Sequence, residues 1–148
     1  MGNIQLLLRQ HVGAPCEPVV KAGDLVKKGT LVAKPTGLGA NIFSSVYGVV
    51  EEIKEDRIVI RPDEEQPDEY EKIPEGTPLE MVKAAGVVGM GGAGFPTGIK
   101  LDAHLDHGYI LINAAECEPG LYHNIRQIEQ QSDKIVRGVK YCMDNRRS

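Results

Sequence analysis

The chain has few cysteines, and they lie far apart. Cys16, Cys117 and Cys142 are the three thiols among 148 residues, and none belongs to a C-x-x-C pair. Widely spaced cysteines of odd number are typical of a protein from a reducing compartment, so we expect a cytoplasmic location. An iron–sulfur cluster normally takes four thiolates, and the histidines lack the spacing of zinc ligands. We therefore expect no metal site within this chain.

Clustered positive charge and long apolar runs are also missing. The chain has 17 Lys and Arg against 21 Asp and Glu, a formal net charge of −4, and its basic residues are scattered. Nucleic-acid binding depends mainly on clustered Lys and Arg, so we exclude that class of partner. Apolar runs such as YILINAA are too short to span a bilayer, and the N-terminus shows no secretory leader. We therefore expect no direct membrane insertion.

An acidic, proline-containing stretch interrupts the apolar pattern at residues 62–77. A segment so charged and so poor in β-branched residues cannot bury itself, which favours a linker that runs over the surface. The sequence thus predicts a module over residues 1–61, the linker, and a second domain over residues 78–148. We expect an α+β chain of two parts, all-β before the linker and α/β after it.

The part before the linker resembles the barrel-sandwich hybrid fold of biotinyl and lipoyl carrier domains. The resemblance lies in two blocks, GDLVKKGTL at 23–31 and SSVYGVVEEI at 44–53. A carrier domain needs its modified lysine at a hairpin tip between those blocks. This chain has TGLG at 36–39 there, and Lys34 is followed by Pro35. We therefore expect a structural or docking module rather than a covalent carrier, and an adduct on Lys34 in the intact mass would contradict this.

The part after the linker has helical signals. The TPLE sequence at 77–80 is a capping box with proline in the first turn of a helix. A second helix is predicted over 97–105, and the apolar run at 109–113 is typical of a buried strand in a parallel sheet. Beyond Pro119 the pattern is helical, and Ser132 is a candidate cap for a second helical piece.

Residues 86–100, GVVGMGGAGFPTGIK, contain six glycines in fifteen positions. Gly89, Gly91 and Gly94 fit G-x-G-x-x-G, but a Rossmann site needs a full strand before the glycines, and only two valines stand there. The P-loop pattern is absent. Glycines can still let consecutive amides form an anion-binding nest, with Lys100 in reach of a phosphate or a flavin carbonyl. A flexible loop and a tight helix-packing corner are the alternatives.

Two long motifs in the second part resemble a known family. GMGGAGFPTGIKL at 89–101, followed by LINAAECEPG at 111–120, is similar to the flavin-binding core of the NADH-binding flavoprotein subunit of complex I. Both are still more similar to the C subunit of the Rnf (Rsx) electron transport complex. The proline-reductase-associated electron-transfer protein of clostridia and the cobalamin reductase of propanediol utilisation are similar as well. Residues 6–35 resemble the barrel-sandwich module of the Rnf protein.

The resemblance implies FMN as cofactor and NADH as substrate. It assigns FMN and nicotinamide contacts by motif position only, with no catalytic residue and no metal ligand. The residues assigned in this way are Gly89, Gly91, Gly92, Gly94, Lys100, Asn113, Glu116 and Glu118. A flavin can convert a two-electron hydride into single electrons while the protein supplies binding and electrostatics.

The chain departs from the family pattern at three places. Met90 replaces an arginine of the complex I flavoprotein, and Ala115 replaces an aspartate, which removes polar contacts expected for NADH. After ECEP, residues 120–124 read GLYHN instead of carrying an acidic pair. This last difference favours a proline-reductase-associated relative or a divergent paralogue over a typical Rnf protein.

The resemblance further implies that this chain is an N-terminal fragment. Family members continue through a cysteine cluster that holds 4Fe-4S centres, so we expect those clusters only downstream and expect the fragment alone to be inactive. The leading hypothesis is an electron-transfer flavoprotein segment that accepts electrons from NADH or ferredoxin. It would belong to a redox complex with other subunits, peripheral to the cytoplasmic face of the membrane. The alternative is a non-enzymatic docking module with a purely structural glycine loop.

Overall fold

The computed structural model describes residues 2–90, 92–102 and 108–144. The chain separates into two compact units, residues 1–100 and 101–148, and each is described by itself. This division falls after Lys100, and the predicted linker at 62–77 stays a prediction. Because the first unit extends to Lys100, it contains the glycine-rich stretch together with the β module.

The first unit contains two antiparallel sheets. One sheet has the strand order β1-β7-β6-β3 and the other has the order β2-β4-β5, and neither closes into a barrel among the described residues. The strands are β1 Ile4–Leu7, β2 Cys16–Pro18, β3 Leu25–Val26, β4 Leu31–Pro35, β5 Ile42–Phe43, β6 Gly48–Ile53 and β7 Arg57–Pro62.

The core of the first unit is built from β-branched residues. Val26, Val32, Val50, Ile58 and Ile60 are its largest fully buried side chains. Val50 of β6 lies opposite Ile60 of β7, and the register shifts beyond that pair. Branched side chains pack well across such strand pairs, and their burial from water is the main stabilising contribution.

The acidic stretch runs along the surface of the β module and is hydrogen-bonded to it. The Tyr47 amide donates to the Gln66 side chain at 3.0 Å, and the Gln66 amide group donates back to the Tyr47 carbonyl at 2.8 Å. Further along, the Glu71 amide donates to the Lys28 carbonyl at 2.8 Å. After Pro62, the last residue of β7, the stretch has no regular secondary structure, but these hydrogen bonds hold its backbone on the β module.

The helix after the acidic stretch begins where the capping box predicts. Helix α1 spans Pro78–Ala84, and the Thr77 hydroxyl accepts from the Glu80 amide at 3.3 Å. The Glu80 carboxylate accepts in return from the Thr77 amide at 2.8 Å, and these bonds lower the pKa of Glu80. Helix α2 spans Thr97–Leu101, and residues 103–105 of the predicted helix at 97–105 lie outside the described residues.

The second unit contains one long helix. Helix α3 spans His123–Asp144, with non-helical backbone at Gln131, where φ is −135° and ψ is 29°. The predicted division into two pieces thus falls one residue before Ser132. None of the helices among the described residues combines the length and the apolar character that a bilayer span requires.

The prediction of a strand at 109–113 is wrong. Residues 108–116 have no regular structure, and Tyr109 and Leu111 are about nine-tenths exposed, at 92% and 89%. All strand pairs among the described residues are antiparallel, so the predicted parallel sheet is not found there. A strand needs a hydrogen-bonding neighbour, and apolar sequence alone does not provide one.

Candidate functional site

Residues 89–94, here called the glycine loop, form the turn of a short hairpin. Val88 and Pro96 pair as an antiparallel bridge at its base. The Gly89 amide donates to the Phe95 carbonyl at 2.9 Å, and the Thr97 amide donates to the Val87 carbonyl at 2.9 Å. The hairpin leads directly into α2, so the loop has a fixed base, and Gly91 at its centre lies outside the described residues.

Lys100 brings a positive charge to the base of the glycine loop. A Cβ added to Gly89 would stand 3.4 Å from Lys100 Nζ. The same Nζ lies 5.6 Å from the centre of the Phe95 ring, within the range of a cation–π contact. The structure therefore brings together Gly89 and Lys100, two of the residues assigned by motif. Phe95, which supports the ammonium group, was missed because nothing in the motif distinguishes it from a packing residue.

The glycines of the loop have different surroundings. The Gly89 amide is used in the hairpin, so it is not directed at a ligand, and a Cβ at Gly89 would make an ordinary van der Waals contact with Lys100 Nζ. Gly92 is open, since a Cβ there would have no atom within 4 Å. Gly94 is buried with φ at +66°, and a Cβ there would stand 2.9 Å from the Gln10 carbonyl oxygen. Gly92 thus offers an approach for a ligand, whereas Gly94 serves packing.

In the second unit, Glu116 caps the start of α3. Its carboxylate accepts from the Asn124 amide at 2.8 Å, the Asn124 side chain at 2.9 Å and the Ile125 amide at 3.2 Å. His123 Nδ1 lies 3.4 Å from the same carboxylate. A carboxylate at this position satisfies amides that have no partner within the helix and complements the helix dipole. The sequence missed this role because Glu116 precedes α3 by seven residues.

The other two motif residues of the second unit lie in the turn before α3. The Asn113 side chain accepts from the Ala115 amide at 3.0 Å, which is a local turn of the Asx type. Glu118 is exposed, and its carbonyl accepts from the Leu121 amide at 3.3 Å. Asn113 and Glu116 thus have structural partners, while the Glu118 side chain lies in an exposed region.

An open cavity of about 450 Å³ lies beside the first turn of α3. Tyr122, His123 and Arg126 line it together with neighbouring residues of the same turn. Its aromatic and basic lining suits a planar anionic group, although most of the cavity faces solvent. Among the described residues, no cluster of His, Cys, Asp and Glu could hold a metal ion.

Two family models match the chain, one over the β module and the first residues of the acidic stretch, the other beyond that stretch. Residues 2–66 match the RnfC barrel sandwich hybrid domain. Residues 82–146 match the Nuo51 FMN-binding domain. The first match agrees with the fold expected for the β module, and the second contains the glycine loop, Lys100 and the start of α3.

Several curated proteins are similar to almost the whole chain. The C subunit of the proton-translocating ferredoxin:NAD(+) oxidoreductase complex of Clostridium ljungdahlii is 41% identical over an alignment 160 residues long, which covers 92% of this chain and 34% of that protein. The C subunit of the ion-translocating oxidoreductase complex of Rhodobacter capsulatus is 40% identical, covering 92% and 30%. The cobalamin reductase of Citrobacter freundii is 52% identical over 64 residues, which cover 43% of this chain and 14% of that protein.

The chain spans about a third of the length of the first two of these relatives. The matches extend across both the β module and the glycine loop, in the order that the sequence motifs predict. The chain therefore belongs to the family of C subunits of Rnf-type ion-translocating oxidoreductase complexes, and it carries that family's barrel sandwich hybrid domain and an FMN-binding domain.

Proposed function

We propose that the chain is the FMN-holding segment of an electron-transfer flavoprotein, with FMN bound at the glycine loop. The observation that carries the proposal is the Lys100 ammonium group beside Gly89, at the base of a loop whose Gly92 is open, within the residues that match the FMN-binding domain. A phosphate tail needs close approach to the backbone and a positive charge. We propose that the open backbone at Gly92 provides the first and that Lys100 provides the second.

The role of each residue follows from its surroundings. Lys100 would neutralise the phosphate or hydrogen-bond a flavin carbonyl, while Gly92 would leave room for the cofactor and Gly89 would lie beside the ammonium group. Gly91 belongs to the proposed contacts by motif alone. Bound flavin would supply the conversion of hydride transfer into single-electron transfer. The chain itself binds and orients the cofactor.

The motif residues of the second unit are Asn113, Glu116 and Glu118, and we propose that they face the flavin and the nicotinamide nucleotide. Glu118 is the better placed of the two glutamates for a ligand, because the Glu116 carboxylate already accepts three hydrogen bonds at the start of α3. Asn113 forms a turn that separates the two glutamates from the exposed apolar residues before it. We propose that Glu118 hydrogen-bonds a ribose or a ring nitrogen.

The electron donor and the partners are also proposals. The name of the Clostridium relative includes ferredoxin and NAD(+), and that of the Acetobacterium woodii relative does so as well. We propose NADH or ferredoxin as donor here, with electrons leaving towards 4Fe-4S clusters held in further parts of such a protein. Other subunits of a redox complex at the cytoplasmic face of the membrane are the proposed partners, and a proline-reductase-associated system is a second assignment.

A docking function is the second candidate, and one observation favours it. The acidic stretch and the glycine loop both pack on the β module, so the module acts as a base for the rest of the first unit. In that case the glycine loop would be structural only, and the chain would not bind flavin.

Titration with FMN distinguishes the two functions. We expect the chain to quench FMN fluorescence on binding, and the Lys100→Ala variant to weaken binding by about 1–3 kcal/mol through loss of a charged hydrogen bond. Lys54→Ala is the matched control, because Lys54 is an exposed lysine paired with Glu52 at the turn between β6 and β7. FMN fluorescence that is unchanged by the chain would contradict the proposal and favour docking.

A further inference from the structure

His11 is a buried imidazole that joins two segments of the β module. It is only 6% exposed. The Ala40 amide donates to His11 Nε2 at 3.1 Å, so Nε2 is the unprotonated nitrogen. Nδ1 then carries the proton and donates to the Val12 carbonyl at 3.0 Å. The ring therefore links residues 11–12 to the hairpin at Ala40.

Two glycines hold this imidazole and its backbone in close contact. A Cβ on Gly39 would stand 2.5 Å from His11 Cε1. A Cβ on Gly94, the last residue of the glycine loop, would stand 3.0 Å from His11 Cα. His11 thus lies between the Gly39 hairpin and the end of the glycine loop, at distances that leave no room for a side chain at either glycine.

Gly86, at the start of the glycine-rich stretch, packs on Asn41, the residue after Ala40. A Cβ on Gly86 would stand 2.4 Å from the Asn41 carbonyl oxygen. The Asn41 side chain also donates to the Ala84 carbonyl at 3.1 Å, at the end of α1. Asn41, which follows Ala40, therefore contacts the start of the stretch at Gly86, while His11 contacts the end of the glycine loop at Gly94.

We propose that His11 is a positioning residue for the glycine loop. Gly86 packs on Asn41, and Gly94 packs on the backbone of His11. The hydrogen bond from the Ala40 amide to His11 sets the distance between these two packing sites. The hairpin at 36–39, where a carrier domain would bear its modified lysine, is used here as part of this support. The effect on FMN rests on the function proposed above, whereas the effect on the loop can be measured without FMN.

Hydrogen exchange of the whole chain tests the positioning role. His11→Leu fills similar space but leaves the buried Ala40 amide without an acceptor, so we expect amides of residues 87–97 to exchange about 10- to 100-fold faster. Amides of β6 and β7 should keep their protection. His11→Gln should restore protection, because its amide oxygen can reach the position of Nε2. Unchanged exchange at 87–97 in His11→Leu would overturn the proposal.

A second variant covers the case in which His11→Leu unfolds the module. His11→Asn stays polar, but its oxygen reaches the position of Nδ1 and not that of Nε2, so the loop should again lose protection selectively. Equal loss over the loop and over β6 and β7 in the Asn variant would show a general structural role and overturn the proposal.

FMN titration of the same variants separates the two proposals. We expect affinity about tenfold weaker in His11→Leu and near normal affinity in His11→Gln. A chain that binds no FMN before any substitution would contradict the proposed function, while the exchange result would still decide the role of His11. Equal FMN affinity in the Leu variant and the unchanged chain would overturn the link between His11 and the cofactor.

Discussion

Gly92 and Gly94 lie two residues apart in the glycine loop, yet a side chain would meet different surroundings at each. At Gly92 no atom lies within 4 Å of an added Cβ. At Gly94 the added carbon would meet the backbone of Gln10 and His11, and φ is in the left-handed region at +66°. One glycine therefore leaves space for a ligand, and the other is required by the fold.

This difference predicts opposite results for two alanine variants. Gly94→Ala should lower the free energy of unfolding by about 1–3 kcal/mol, because it combines a left-handed backbone with a clash. Gly92→Ala should change it by less than about 0.5 kcal/mol but weaken FMN binding. Urea denaturation and FMN titration measure the two effects. A stability loss at Gly92 as large as that at Gly94 would contradict the structure.

The three thiols should differ in reactivity. Cys16 is buried, and burial raises the pKa of its thiol, so it stays neutral to a higher pH than an exposed cysteine. Cys117 is exposed. The thiolate is the reactive form, so in the folded chain we expect Cys117 to be alkylated first and Cys16 last. The difference between their alkylation rates should become smaller as the pH rises. Peptide mass mapping after brief iodoacetamide treatment measures the order, and early labelling of Cys16 would contradict its burial.

At the scale of elements, the clearest relation between sequence and structure lies at the helix starts. The capping box at 77–80 predicts the start of α1, because both of its hydrogen bonds are made within four residues. The start of α3 depends on Glu116, whose carboxylate reaches Asn124 across a turn. That interaction depends on the course of the turn, which residue order alone does not fix.

The cap on α3 can be tested against a neighbouring carboxylate. Glu116→Ala should cost about 0.5–2 kcal/mol of helix stability, since it removes the acceptor of two helix-terminal amides. Glu118→Ala, an exposed control two residues away, should leave the helix unchanged. Circular dichroism at increasing temperature follows α3. If the two variants lose helix at the same temperature, the capping role is wrong.

The wrongly predicted strand at 109–113 shows that an apolar pattern alone does not predict a strand. A short apolar run reports a tendency to be buried, but it does not specify what buries it. Tyr109, Leu111 and Ile112 are exposed in the second unit, and no strand among the described residues pairs with them. The helix predicted after Pro119 is confirmed by α3, because a helix makes its hydrogen bonds within itself.

For the whole molecule, the sequence predicts which two domains are present. The barrel-sandwich module and an FMN-binding domain are confirmed by the two domain matches. The predicted boundaries at 61 and 78 stay a prediction, and the first compact unit extends to Lys100 and includes the acidic stretch and the glycine loop. Contacts such as Gln66 with Tyr47 and Gly94 with His11 join residues far apart in the chain, and a local sequence pattern does not predict them.

The central claim is that the glycine loop and Lys100 hold the phosphate end of FMN, and an NMR titration of the ¹⁵N-labelled chain tests it most directly. We predict that FMN shifts the amide signals of residues 90–94 and of Lys100, with smaller changes in the β6 and β7 strands. Shifts confined to the cavity at the start of α3, around Tyr122 and Arg126, would contradict the claim. So would a spectrum that FMN leaves unchanged.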